Sequence, residues 1–169
     1  MPGLQFLHCI VNDAKGGESI FRDSLGALKE LEATDQESFK VLRKVPVRFM
    51  YKNDKHHMNF FRPTIEYDIN EGYGVIYAPQ FQGPLKAHPS IIGKFYKAFS
   101  AFEEILNREE AIYRYTLRKG DVVIFANRRV LHGRESFDTS GDRWLKGTYV
   151  GWDEFKDKLR CNFPDQIIE

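Results

Sequence analysis

Cysteine is scarce in this chain: Cys9 and Cys161 are the only two in 169 residues. They share no local motif, which suits two buried free thiols in a reducing compartment better than a disulfide scaffold. Charge of one sign is also missing, with 25 Lys and Arg against 24 Asp and Glu. A net charge of +1 without a basic stripe leaves no electrostatic footprint for nucleic acid. No apolar run approaches the roughly 20 residues that a membrane-spanning helix needs, so no membrane partner is expected. The opening MPGLQFLHC lacks the basic-then-apolar layout of a signal peptide. The expected location is therefore intracellular, cytoplasmic or mitochondrial. HExxH and CxxC spacings are both absent, which leaves a zinc hydrolase without support.

What the chain does hold is aromatic residues, 14 Phe and 8 Tyr among them. That content suits a β-rich interior or an aromatic-lined pocket. Hydrophobic residues at 42% and charged ones at 29% describe a folded globular protein, and residues 1–169 are expected to form a single domain.

Residues 4–11 are an apolar, β-prone run ending in NDAKGG, and 18–23 resume as a strand. The first 23 residues are thus expected to form a hairpin. Helices follow over 25–32 and 35–44, the second opened by Thr34 and Glu37 at capping-box spacing. Residues 47–51 alternate as a strand, 52–71 read as loops around one extended piece, and 75–78 form a short strand. Residues 90–108 are the clearest helix. Ile91, Phe95, Ala98, Phe99, Phe102, Ile105 and Leu106 fall on one face, expected to cover a sheet. Strands over 112–117, 122–125, 130–137 and 144–152, then a helix over 153–160, complete an antiparallel α+β architecture that is mainly β.

Alternation along 143–149 puts Arg143, Leu145, Gly147 and Tyr149 on one face of a strand, its ends roughly 20 Å apart. The planar fork of an arginine suits a carboxylate. The face of a tyrosine suits a quaternary ammonium, and Gly147 leaves the space between them clear. His132 lies on the preceding strand, just before Gly133. Taken singly, each has a plainer reading: a packed histidine, a surface arginine, a core tyrosine. Their setting raises them. The relevant stretches are PGLQFLHCI at 2–10, GGES at 16–19, KGDVVIFANRRVLHGR at 119–134 and GDRWLKGTYVGWD at 141–153.

These stretches resemble the iron(II)/2-oxoglutarate dioxygenases of the taurine dioxygenase-like superfamily, and most closely its γ-butyrobetaine and trimethyllysine dioxygenase branch in carnitine biosynthesis. The similarity runs from the first residues to about residue 160. It implies a partial double-stranded β-helix, or jelly roll, with a long covering helix. It implies Fe(II), O2 and 2-oxoglutarate, and a small trimethylammonium carboxylate of the γ-butyrobetaine kind as substrate. His132 then matches the distal histidine of the two-His-one-carboxylate iron triad. Arg143 matches the anchor of the distal carboxylate of 2-oxoglutarate, Ser19 the hydroxyl that assists it, and Tyr149 a wall of the cage around the trimethylammonium. Gly16 and Gly17 also read as a hairpin turn, and the two readings coexist.

The sequence departs from the family pattern at several positions. The HxD motif, source of the other two iron ligands, should lie a handful of residues before PGLQ, where Met1 stands. The chain is therefore expected to be N-terminally truncated and inactive as given, the alternative being a non-catalytic remnant or pseudoenzyme. Exposed sheet edges would then favour pairing with another chain, as in a homodimer, or aggregation. An asparagine for the substrate carboxylate would fall near Tyr77 and Ala78, and Ala126 replaces a common Asp. Asp54, His56 and His57 offer no substitute for HxD, because adjacent strand residues point oppositely and the order is reversed. His8 reads as a core histidine and Asp121 as a turn residue.

Overall fold

The computed structural model describes residues 3–164. In chain order the first elements are β1 (Leu4–Asn12), β2 (Ser19–Asp23), α1 (Ser24–Thr34), α2 (Gln36–Lys44), β3 (Pro46–Lys52), β4 (His57–Pro63), β5 (Ile65–Asp68) and β6 (Gly72–Val75). Then come α3 (Pro89–Leu106), β7 (Tyr113–Tyr115), β8 (Val122–Ala126), β9 (Val130–Arg134), β10 (Arg143–Val150) and α4 (Trp152–Asn162). Strand residues outnumber those in the four α-helices, as the α+β, mainly β reading requires. No helix among the described residues is long and apolar enough to cross a membrane. Both cysteines are free thiols, but only Cys9 is buried as expected; Cys161 is exposed, since it lies near the end of α4, a helix with no buried residue. The chain divides into two compact units, Met1–Phe21 with Tyr113–Glu169, and Arg22–Ile112.

The first unit holds two three-stranded sheets, ordered β10-β1-β8 and β7-β2-β9. β1 runs antiparallel to both its neighbours, with a bulge between Cys9 and Val11 on the β10 side. The expected hairpin of β1 and β2 does not form, since the two strands belong to different sheets. The reason lies in their connection. Gly16 and Gly17 take φ of 84° and 68°, and they turn the chain out of its first sheet instead of closing a tight hairpin. The connection is then tied to the one between β9 and β10. Asp13 N–H donates to Asp142 O at 2.8 Å, Gly17 N–H to Ser136 O at 2.9 Å and Asp138 N–H to Lys15 O at 3.1 Å.

The second unit is built on three helices and two hairpins. α1 buries Ala27, Leu28 and Leu31, α2 buries Phe39 and Leu42, and α3 buries Phe95, Ala98, Phe99, Phe102, Ile105 and Leu106. The helical stripe on α3 is therefore where its spacing placed it, but its main partners are α1 and α2, not a sheet. Each fully buried Phe or Leu of this cluster stabilises the unit by about 1.5–3 kcal/mol. The cap of α2 is shifted by one residue from the expected box. Asp35 accepts the Ser38 N–H at 3.0 Å and the Ser38 hydroxyl at 2.6 Å, while Thr34 donates back to Glu30 O at 2.8 Å. A carboxylate is the stronger acceptor for orphan helix donors, and that decides the competition.

Residues 52–71, expected as loops around one extended piece, hold two strands, β4 and β5, in the hairpins β3–β4 and β5–β6. The turns are closed by side chains. Asn53 Oδ1 accepts the N–H groups of Lys55 and His56, and Asp68 Oδ1 accepts those of Asn70 and Glu71. From His57 to Phe61, β4 is exposed on both faces, so it carries no apolar alternation for a sequence reading to find.

Candidate functional site

Side chains directly opposite one another on paired strands project to the same side of a sheet. Gln5 stands opposite Phe125 and Tyr149, Leu7 opposite Val123 and Gly147, Cys9 opposite Leu145, and beyond the bulge Asn12 opposite Arg143. Arg143, Leu145, Gly147 and Tyr149 therefore share one face, as the alternation demanded. In the second sheet Ser19 pairs with Tyr115 and Phe21 with Tyr113. Period two on β9 groups Val130, His132 and Arg134. Phe21 and Phe125 meet edge to face with ring centroids 5.6 Å apart, and Phe125 and His132 meet at 4.9 Å. The two faces thus look at each other. Ser19, His132, Arg143 and Tyr149 all project into one inter-sheet space.

The Arg143 end of that space is closely built. Arg143 Nη2 donates to Gly17 O at 3.2 Å, and its guanidinium stands 5.3 Å from the Phe137 ring centroid. Arg134 stands over the same ring at 4.2 Å. A side chain on Gly17 would meet Phe137 Cβ at 3.0 Å and Arg143 Nε at 3.2 Å, so glycine is required there by contact as well as by φ. Ser19, two residues on, is 4% exposed. Arg143 Nε is buried without a hydrogen-bond partner. Burial, and then the neighbouring Arg134, pull the Arg143 guanidinium below its ordinary pKa. It nevertheless stays a cation, with a donor in want of an acceptor. Burial pushes the Cys9 thiol up, with Arg143 acting the other way.

The Tyr149 end is bare. Tyr149 is 56% exposed and has no ring partner among the described residues. His132 presents surface to solvent, yet its ring packs on Phe125. Desolvation by its neighbours lowers the imidazole pKa, and a hydrogen bond to the Val130 backbone opposes this. The neutral form, which keeps a lone pair for a metal, is thereby favoured. Among the described residues no three His, Cys, Asp or Glu side chains gather as a metal-binding group.

The other candidates are placed elsewhere. His56 and His57 are both exposed, as a surface reading required, but only His56 lies in the β3–β4 turn; His57 opens β4, paired with Lys52. His8 is half-buried, not a core residue, because its strand presents it on the face opposite Gln5. Asp121 accepts the Arg118 N–H at 2.8 Å and the Tyr115 hydroxyl at 3.0 Å, and both bonds hold its carboxyl below the usual range. Tyr77 donates to Glu103 Oε1 at 2.8 Å and stacks on Phe99, so this position serves the helix cluster. A cavity of about 510 Å³ opens beside β7 and β8, lined in part by Phe21, Tyr113, Phe125 and Val130, but by none of the four site residues.

Three residues of the space escaped the sequence reading. Arg134 was signalled by period two from His132, inside the NRRVLHGR stretch. Phe137 lies beyond β9, where no pattern marks it. Gln5 is 4% exposed with its Oε1 unpartnered, and only the register reveals that it lies between Phe125 and Tyr149.

Comparison with known proteins gives a consistent result. The family described as taurine catabolism dioxygenase TauD, TfdA matches residues 1–149. Dioxygenase str8 of Strobilurus tenacellus is 41% identical over 172 residues, covering 94% of this chain and 40% of that protein. The gamma-butyrobetaine dioxygenase of Pseudomonas sp. (strain AK-1) is 33% identical over 160 residues, covering 94% and 42%. The chain thus spans less than half the length of these relatives. The crystal structure of a putative alpha-ketoglutarate-dependent taurine dioxygenase from Burkholderia xenovorans matches in fold, with a TM-score of 0.70 and 18% identity over 90% of this chain and 56% of that one.

Proposed function

The chain belongs to the taurine catabolism dioxygenase TauD, TfdA family, and from that premise we propose that it carries part of an iron(II)/2-oxoglutarate-dependent dioxygenase acting on a small trimethylammonium carboxylate of the γ-butyrobetaine type. Residues 1–169 belong in this reading to one catalytic domain, and the two facing sheets form part of a double-stranded β-helix. Arg143 holds the distal carboxylate of 2-oxoglutarate, with Ser19 beside it. His132 is an iron ligand, and the face of Tyr149 receives the trimethylammonium. When bound, iron(II) and O2 supply the oxidation of a C–H bond coupled to decarboxylation of 2-oxoglutarate.

One observation carries the reading most directly. The Arg143 guanidinium is held by Gly17 and Phe137 with a buried, unpartnered Nε, in the space that Ser19 and His132 also enter. A carboxylate supplies the missing acceptor. These residues fit a dicarboxylate. For iron the described residues offer His132 and no three-ligand group, so no step is routed through the metal. That same observation favours a second reading, a chain that keeps the carboxylate site without turnover.

The test is a titration of the chain with 2-oxoglutarate, followed by amide chemical shifts. Saturable binding weakened about tenfold or more by Arg143→Gln is expected, since hydrogen bonds to charged groups contribute roughly 1.5–3 kcal/mol. Absence of binding by the unaltered chain would overturn both readings. Stoichiometric iron with succinate formation from 2-oxoglutarate and γ-butyrobetaine selects the first; binding without iron retention selects the second.

A further inference from the structure

We infer that Arg134 is a second cation of the carboxylate site, acting with Arg143 on the same distal carboxylate. The inference rests on the 2-oxoglutarate reading of Arg143 and deepens it. Period two along β9 alternates His132, Gly133 and Arg134 across the sheet. A side chain on Gly133 would meet Ile20 at 3.2 Å, on the side away from Phe21 and Phe125. Arg134 is thereby turned, like His132, into the inter-sheet space.

Arg134 reaches that space at the Arg143 end. Its guanidinium stands 4.2 Å from the Phe137 ring centroid, and that of Arg143 stands 5.3 Å from the same centroid. One ring therefore carries two cations. Among the described residues neither has a carboxylate partner, although the chain holds 24 acidic residues for its 25 basic ones. Other arginines are paired: Arg62 with Glu66 and Arg114 with Glu135. Two unneutralised like charges sharing one neighbour repel, and an anion between them reverses the sign of that interaction. The depressed pKa of Arg143, to which Arg134 contributes after burial, records the repulsion. Phe137 contacts both guanidinium groups through cation–π attraction while making no hydrogen bond, which leaves Arg143 Nε and the Arg134 N–H groups for carboxylate oxygens. Arg134 binds the distal carboxylate directly; it takes no part in the chemistry at the other end of the ligand.

The test uses the full chain and two probes, 2-oxoglutarate and 2-oxobutyrate, which lacks the distal carboxylate. Affinities are read by amide chemical-shift titration for the unaltered chain, R134Q, R134K and R143Q. R134Q is expected to weaken 2-oxoglutarate by about fivefold or more and to move 2-oxobutyrate by less than about twofold. R134K should recover most of the loss, because it restores charge without the guanidinium stack. Equal weakening of both probes, or failure of R134K to rescue, would assign Arg134 a packing role and overturn the inference. Unchanged 2-oxoglutarate affinity in R134Q, with R143Q impaired, would sink the inference alone. No binding by the unaltered chain would instead remove the parent reading.

Discussion

The two units of the chain divide stability and chemistry between them. Of the buried apolar side chains among the described residues, only Leu4, Cys9, Leu117 and Phe125 belong to the first unit; the others lie in Arg22–Ile112. Conversely, Ser19, His132, Arg143 and Tyr149 all lie in the first unit. The second unit satisfies its interior with packed Phe and Leu. Both units leave buried polar atoms without partners among the described residues: those of Gln5, Asn12 and Arg143 in the first, and of Arg22, Thr64 and Gln82 in the second. Such atoms cost free energy unless something binds to them, and a dry, well-filled core has no room for a ligand. What sets the first unit apart is the place of these atoms: Gln5 and Arg143 face the same inter-sheet space as Ser19 and His132, whereas the second unit is held by its packed Phe and Leu.

The largest test of that contrast is in the helical cluster. Phe102 is fully buried on α3, and Phe102→Ala is expected to cost about 3–5 kcal/mol by urea unfolding. A cost under about 1 kcal/mol would mean that the apolar core is not what stabilises this unit. In the first unit, Gly17→Ala should cost about 1–3 kcal/mol from its φ of 68° alone. It should also weaken 2-oxoglutarate, because the new methyl displaces Phe137 or Arg143. Normal binding in that variant would show that the two groups yield without cost to the site.

A smaller effect separates the units by pH. Hydrogen bonds from the Ser38 hydroxyl and N–H hold the Asp35 carboxyl below its ordinary value. A depressed carboxyl stabilises the fold fully above its unfolded pKa and loses that contribution as pH falls through the folded value. Asp35→Ala is expected to cost about 1 kcal/mol at neutral pH, and the gap from the unaltered chain should close in acid. A gap independent of pH would exclude the carboxylate as the cap.

The smallest effect belongs to His132. Its imidazole pKa is lowered chiefly by desolvation, so its NMR titration midpoint should fall below that of a free histidine. The folded state then binds fewer protons than the unfolded chain between those two values, and stability rises with pH across that window. His132→Ala should change stability by less than about 0.5 kcal/mol, as expected for an exposed position. A midpoint at or above the ordinary value would show that Phe125 does not shield the ring.

Several of these features are legible in the residues alone. Apolar period on α3, the turn around Asp121 and the shared face of Arg143 and Tyr149 follow from local spacing. β4 is not legible, because a strand exposed on both faces carries no pattern. The hairpin expected of β1 and β2 fails for another reason. Their strand propensity is real, but Gly16 and Gly17 permit several turns, and ties to residues 136–142 select a crossover. At α2, Thr34 and Asp35 both suit a cap, and only the realised hydrogen bonds choose the carboxylate.

Residue types, their two-residue and helical periods, and the motifs that place the chain among its relatives are all written in the sequence. Those are local properties, set within a few residues by backbone geometry. Folding alone settles that Arg134, far along the chain from Gly17, meets Arg143 over Phe137, and that Gln5 lies between Phe125 and Tyr149. Pairing register and sheet facing are long-range choices, fixed by which distant strands satisfy each other's hydrogen bonds and bury each other's rings.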